Sequence, residues 1–377
     1  MKLAIIYTVL SLPFIAAQCS DDVKISSQAD IGSIASCSKF GASITVEGST
    51  ATTLDFSGIT QITGDISFIN NFNLNSLSLN DLKTVGGTLQ LLNNTQIIGL
   101  SIPKLSSVKS LELVNNPALR TLSTTNISSI NNLQITQTSL STHGTITAKT
   151  IDNIELISNS FLKVIDFSSL ITANGYINIV DNQGATANFQ RLTSIAGNST
   201  FRQLSALNTS AITSLSNTFN VFGNTFTSFS LESLNQVSMD LTIANNTKLT
   251  NFRIPLLSYV DGGIQIVNNP VLTDITNDTF PALNYVKGGV NLSGPFNSIS
   301  FPNLTRVDGA LSVTASGNFT CDDFQTQFSD LVEGQFTCED EKPAATTDTK
   351  SNGSPTILKS NVLGGFVMIA LVGLSLF

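Results

Sequence analysis

The chain has 377 residues, of which 41% are apolar and only 12% charged, with a formal net charge of −8. That length would fill two ordinary domains, yet apolar residues alternate in short runs throughout, which excludes a disordered chain. The acidic balance and the lack of Lys/Arg clusters exclude nucleic acid as a partner.

Residues 1–17 read as a secretory signal: Lys2 supplies the positive start, residues 3–15 the apolar stretch, and Ala16 and Ala17 the small cleavage residues. The apolar run is too short for a membrane anchor and is broken by Pro13. A mature chain then begins at Gln18, and residues 18–42 form an N-terminal cap that holds Cys19 and Cys37. The other two of the four cysteines, Cys321 and Cys338, fall in a C-terminal cap, residues 317–338. A secreted chain with an even number of cysteines points to disulfides. Metal binding is the alternative, but there is no C-x-x-C and a single histidine, His143.

Between the caps, residues 43–316 repeat one unit. Leu241-x-Ile243-x-x-Asn246 recurs as Ile264-x-Ile266-x-x-Asn269, each a short alternating strand that ends in an Asn corner. A second apolar pair follows, as in Phe252-x-Ile254-Pro255-x-Leu257-x-x-Val260. Two strands and two corners in ~22 residues describe one rung of a solenoid. The corner falls at Ser49, Asn71, Asn94, Asn116, Thr138, Asn159, Asn182, Leu204, Asn224, Asn246, Asn269, Pro295 and Ser316. The register at Leu204 rests on Ser199-x-Phe201 alone. Stacked Asn side chains suit a ladder that satisfies backbone groups left unpaired by the turn; a row of amides that binds a ligand is the functional alternative.

About 13 rungs at roughly 4.8 Å hold the two ends some 60 Å apart, whereas a disulfide needs α-carbons within about 7 Å. The pairing is therefore local, Cys19 with Cys37 and Cys321 with Cys338. Such bridged caps would cover the apolar cross-sections and strand edges that terminal rungs expose.

N-x-S/T sequons start at Asn93, Asn126, Asn198, Asn208, Asn245, Asn277, Asn291, Asn303 and Asn318. With a signal peptide they point to a glycosylated surface. In the pairs Asn93-Asn94 and Asn245-Asn246 the sequon takes the first residue, so the first should face outward and the second belong to the buried ladder. After Cys338 the composition turns polar, giving a stalk over 339–352. Small residues at Asn352, Gly353 and Ser354, a spacer, and the apolar residues 362–377 form the signal for a GPI anchor on Asn352, with 353–377 removed. A short tail anchor is the alternative.

Signal, paired-Cys cap, L-x-L-x-x-N repeats with following I-P-x-L-x-x-V strands, and GPI tail together resemble a fungal family. These are the GPI-anchored cell-wall-organisation and sporulation proteins whose repeats are similar to receptor L domains. Gly87-Thr88-Leu89-Gln90-Leu91-Leu92-Asn93-Asn94, Gly263 to Pro270 and Phe301 to Val307 carry the likeness best. It implies an all-β fold, a right-handed parallel β-helix or L-domain-like solenoid. It also implies attachment to the membrane through the anchor, wall glucan or a surface protein as partner, and a role in wall integrity. It implies no cofactor and no catalytic residue. The stalk is shorter than in longer members of the family.

Two other functions compete. A β-helical carbohydrate-active enzyme needs clustered carboxylates, but Asp65, Asp81, Asp152, Asp166, Asp240, Asp261, Asp274 and Asp308 are scattered. Asp240 and Asp261, just before successive strands, are the one pair that stacking could bring together; His143 reads as a surface residue between rungs. A receptor-like module that binds glycan or protein through one face is the third reading. The non-catalytic surface glycoprotein is the expectation carried forward.

Overall fold

A computed structural model describes residues 19–340; the signal segment, most of the stalk and the tail with Asn352 lie outside the described residues. The chain winds into a parallel β-solenoid of about 14 turns, roughly 22 residues apart. The corner residues mark thirteen, and each cap lends a further strand to the stack. Val23–Ile25 pairs with Ile44–Glu47 at the start, and Phe336–Asp340 pairs with Leu311–Ala315 at the end.

A 17-stranded parallel sheet covers one side of the solenoid and, near the N-terminus, bends onto the next, where a second, 8-stranded sheet runs from Thr150–Ile151 to Arg306–Val307. Shorter sheets of two to four strands close the third side. Register holds from turn to turn: Phe219, Leu241, Ile264, Val290, Leu311 and Phe336 stack in one column. Alternation sends every second side chain inward. A single rung buries Leu241, Ile243, Leu249, Phe252, Ile254, Leu257 and Val260, none more than 2% exposed. Each such side chain stabilises the fold by about 1.5–3 kcal/mol relative to exposure. The spine toward the C-terminus is aromatic: Phe229, Phe252, Phe280 and Phe301 follow one another with ring centroids 5.5–5.8 Å apart.

Two corners of each rung meet the same difficulty, close backbone approach, by different means. At the first, the chain turns through a left-handed residue, among them Asn70, Asn93, Asn115, Asn245 and Asn268 with φ of 55° to 58°. The residue that follows points inward. Asn94 Oδ1 accepts from the backbone and side-chain N–H groups of Asn71, both at 3.0 Å, while its Nδ2 donates to the Phe68 carbonyl at 2.9 Å. Asn246 does the same for Asn224 and Val221. Leu204, whose register rested on least, sits in this column and donates its N–H to Asn224 Oδ1 at 2.9 Å. The ladder ends at Asn269, because Pro295 offers no amide in the next rung.

At the second corner the backbones touch directly. A Cβ on Gly288 would lie 2.5 Å from the Gly262 carbonyl carbon, and one on Gly309 2.6 Å from that of Gly288. Only glycine fits at those two positions, whereas Asp152 and Met239 hold the same corner in rungs that lack glycine.

The ends are closed as the bridges require. Cys19–Cys37 and Cys321–Cys338 are disulfides with α-carbons 5.7 Å apart. Each cap also carries a short helix. The first, α1, spans Gln28–Ile34 and buries Ile31 and Ile34 under the first rung. The second, α2, spans Cys321–Phe328 and lays Phe324 and Phe328 over the last, where Phe328 ends the aromatic spine 6.2 Å from Phe301.

One expectation is corrected. His143 is not on the surface: it is 3% exposed and stacks on Phe167 with centroids 4.7 Å apart. Its rung, residues 139–147, forms no strand on the third side. The imidazole replaces the missing backbone: Nε2 accepts the Asp166 N–H at 2.9 Å, a bond that a strand carbonyl would otherwise take. Burial pushes its pKa down to about 4, against the opposing pull of the Asp166 carboxylate.

Candidate functional surface

The long sheet presents three outward columns, because alternate residues of stacked strands share a face. The middle column lies four residues before each corner. Gln90, Glu112, Gln134, Glu155 and Asn178 follow one another in register across strands Thr84–Leu92, Ser107–Asn116, Ser129–Thr138, Asn153–Ile157 and Ile177–Val180. Amide and carboxylate alternate and hold each other: Gln90 Nε2 donates to Glu112 Oε2 at 3.0 Å, and Gln134 Nε2 to Glu155 Oε1 at 2.8 Å. Ser110 Oγ donates to Glu112 Oε1 at 3.0 Å, and the Tyr176 hydroxyl to Glu155 Oε2 at 3.5 Å. Burial, and then the Glu155 charge, push the Tyr176 phenol above its ordinary pKa. Neither glutamate meets a cation among the described residues.

Beside this track runs an apolar rail. Ile69, Leu92, Val114, Thr136, Ile157 and Val180 stack in register, all outward and half-buried. On the track's other side the sheet bends around a shallow polar depression of about 320 Å3. There Asp152 is gripped by two amides, Asn131 and Asn174, at 2.9 Å each, with Lys149 on the rim. None of Gln90, Glu112, Gln134, Glu155 and Tyr176 is apparent as a site from sequence. The signal was present, a polar residue four before each corner, but it becomes a track only once the register is known.

One sequon, Asn291, stands in the middle column of the same long sheet, in register with Gln265. Asn126, Asn198, Asn208, Asn277, Asn291, Asn303 and Asn318 are exposed, and Asn93 and Asn245 half-exposed, while Asn94 and Asn246 are fully buried. The outward Asn93 is engaged as well: its Nδ2 donates to Asn70 Oδ1 at 2.7 Å, and its Oδ1 accepts from Asn115 Nδ2 at 2.9 Å. Asn208 and Asn303 also donate from Nδ2, the atom a glycan would take, to Asn188 and Pro281. No sequon starts within the strands that carry the track from Ser107 to Val180.

The scattered aspartates are each tied into bonds between or within rungs, and stacking does not join Asp240 to Asp261. Asp240 Oδ1 accepts the Gly263 N–H at 2.7 Å, whereas Asp261 holds Lys287 at 2.6 Å and the Tyr259 hydroxyl at 2.9 Å. Asp65 accepts from Thr88, Asp81 from Lys104, Asp166 from Asn188, Asp274 from Ser298 and Asp308 from Tyr285. Near the C-terminal cap the Tyr259 and Tyr285 rings meet tilted at 47° with centroids 5.4 Å apart, and Arg306 lies over Tyr285 at 5.3 Å. The polar groups of that cluster are spent on one another.

No family model matches the chain, and neither does any solved structure. Among curated proteins, protein ecm33 of Aspergillus fumigatus is 31% identical over 347 residues, 91% of this chain and 86% of its own length. The chain belongs to the Ecm33 family. Two further relatives align over most of their length. A cell surface GPI-anchored protein of Arthroderma benhamiae is 29% identical over 90% of this chain and 87% of its own. Cell wall protein ecm33 of Schizosaccharomyces pombe is 27% identical over 86% and 77%.

Proposed function

We propose that the protein is a non-catalytic surface glycoprotein, held at the outer face of the plasma membrane by a GPI anchor on Asn352, that supports assembly and integrity of the fungal cell wall. Membership of a family whose relatives are named as cell wall and GPI-anchored surface proteins carries this reading. The rigid solenoid suits it, since a rod closed by bridged caps displays a fixed surface. Aspartates already spent on bonds between rungs leave little free to protonate a leaving group and activate water together.

The test has three arms. Cells lacking the protein should become hypersensitive to wall-perturbing dyes; wild-type resistance would overturn the wall role. Deleting residues 362–377 should release the protein into the medium, and continued attachment would overturn the anchor. Purified protein should leave wall polysaccharides uncut, whereas turnover would favour an enzyme.

A further inference from the structure

We propose that a sequon-free part of the long sheet, the Gln90–Glu112–Gln134–Glu155 track with its Leu92–Val114–Ile157–Val180 rail, binds a neutral, extended β-linked glycan lying along the solenoid axis. This deepens the wall role and rests on it.

The track is organised before any ligand arrives. Glu112 and Glu155 are each fixed by two donors from the protein, and an ionised carboxylate accepts about four bonds. The remaining lone pairs face solvent and suit hydroxyl donors. The rail supplies what a sugar also needs, an apolar strip beside the polar one for its C–H face. Amide and carboxylate repeat every second rung, about 9.6 Å, and an extended β-1,4-linked chain likewise repeats every second sugar.

Charge and size narrow the occupant. Two carboxylates with no partner cation disfavour an anionic polymer. The five strands span about 20 Å by 16 Å, roughly 300 Å2, well under the ~800 Å2 per partner of a stable protein interface. A narrow chain fits this face, and a second copy of the protein does not. Asn93 and Asn198 stand at its two ends, so N-glycans there would border the track without covering its middle.

The experiment titrates full-length protein, purified in detergent, with chitohexaose, cellohexaose and laminarihexaose by calorimetry. Saturable binding to at least one is expected, strengthening from the tri- to the hexasaccharide. Val114→Glu should lose at least about tenfold in affinity, and Gln134→Ala, an outward truncation that spares the core, should lose severalfold with an unchanged melting temperature. Replacing both acids, Glu112→Gln with Glu155→Gln, turns one acceptor oxygen of each into a donor and should weaken binding severalfold without abolishing it. The proposal falls if none of the three sugars saturates, or if Gln134→Ala binds as wild type. It also falls if a basic peptide binds more tightly and is lost in the Gln pair, or if Val114→Glu converts a dimer to a monomer. Absent sugar binding together with dye-sensitive deletion cells would sink this inference and leave the wall role standing; dye-resistant deletion cells would remove the wall role itself.

Discussion

The amide corner and the glycine corner, in the rungs that have them, are two solutions to one geometric problem. Stacked backbones lie about 4.8 Å apart, and a tight turn at that spacing either strands polar groups or leaves no room for side chains. At the amide corner the left-handed residue turns N–H and C=O groups toward the interior, and an Asn from the neighbouring rung answers them. At the glycine corner one backbone rests on the next and volume is the constraint. The first corner should therefore fail when polarity is removed, and the second when atoms are added.

The glycine corner gives the largest effect. In Gly288→Val the new Cβ would meet the Gly262 backbone at 2.5 Å. Backbone cannot swing aside as a side chain does, so we expect a loss of about 3 kcal/mol or more. Chemical unfolding would report it. Gly32 is the control: it lies in α1 with open space around its Cα, and Gly32→Ala should be neutral or stabilising. Similar losses at both glycines would show that the loss does not come from the backbone contact and would refute the contact argument.

At the amide corner, Asn94→Ala keeps the fold's shape and deletes its polar answer. Two N–H groups of Asn71 and the Phe68 carbonyl lose their partner inside the core. Unsatisfied buried groups cost about 1–3 kcal/mol, and thermal unfolding should show a loss in that range. An unchanged midpoint would mean that water enters the corner freely.

His143 marks where neither device is used. The third side of its rung has no strand, and a side chain stands in for backbone. The imidazole is held neutral by burial, with a folded pKa of about 4 against the ordinary 6.5. Between those values the unfolded chain binds more protons than the folded one. Stability is full above pH 6.5 and declines as pH falls toward 4, at up to about 1.4 kcal/mol per pH unit. Denaturation midpoints measured from pH 7 to 4 should show that slope, and His143→Gln should flatten it. A slope that survives the substitution would assign the acid sensitivity elsewhere.

What could be read from the sequence follows from what repeats. Asn71, Asn94, Asn246 and their neighbours recur in phase with alternating apolar residues, so the solenoid, its amide ladder and the local disulfides are all legible. The left-handed turn is carried by different residues, Asn93, Gln137, Ser158, Asp181 and Gln203 among them, and a conformation shared by unlike side chains leaves no pattern. The rung of His143 still supplies Leu140 and Ile146 to the core, so its apolar spacing hides the lost strand. The helices α1 and α2 are too short to show a period and are set by the ends they cover. The track was hidden for another reason. Glu112 and Glu155 lie 43 positions apart, and only strand pairing through Gln134 makes them neighbours.

The smallest effect separates the two residues of one corner. Asn93 precedes the buried Asn94 but points outward, in the left-handed region at φ 58°. It is not idle, since it links Asn70 to Asn115 in a second ladder of amides. Those bonds are half-exposed, and water can replace them, so each is worth little net. Glutamine already holds the same backbone position at Gln137 and Gln203, with φ of 55° and 59°. Asn93→Gln should therefore cost less than about 1 kcal/mol, below the loss at Asn94. If a glycan occupies Asn93, the same substitution should also remove one glycan's mass from the protein. Equal destabilisation by Asn93→Gln and Asn94→Ala would show that the outer ladder, not the inner one, holds the corner.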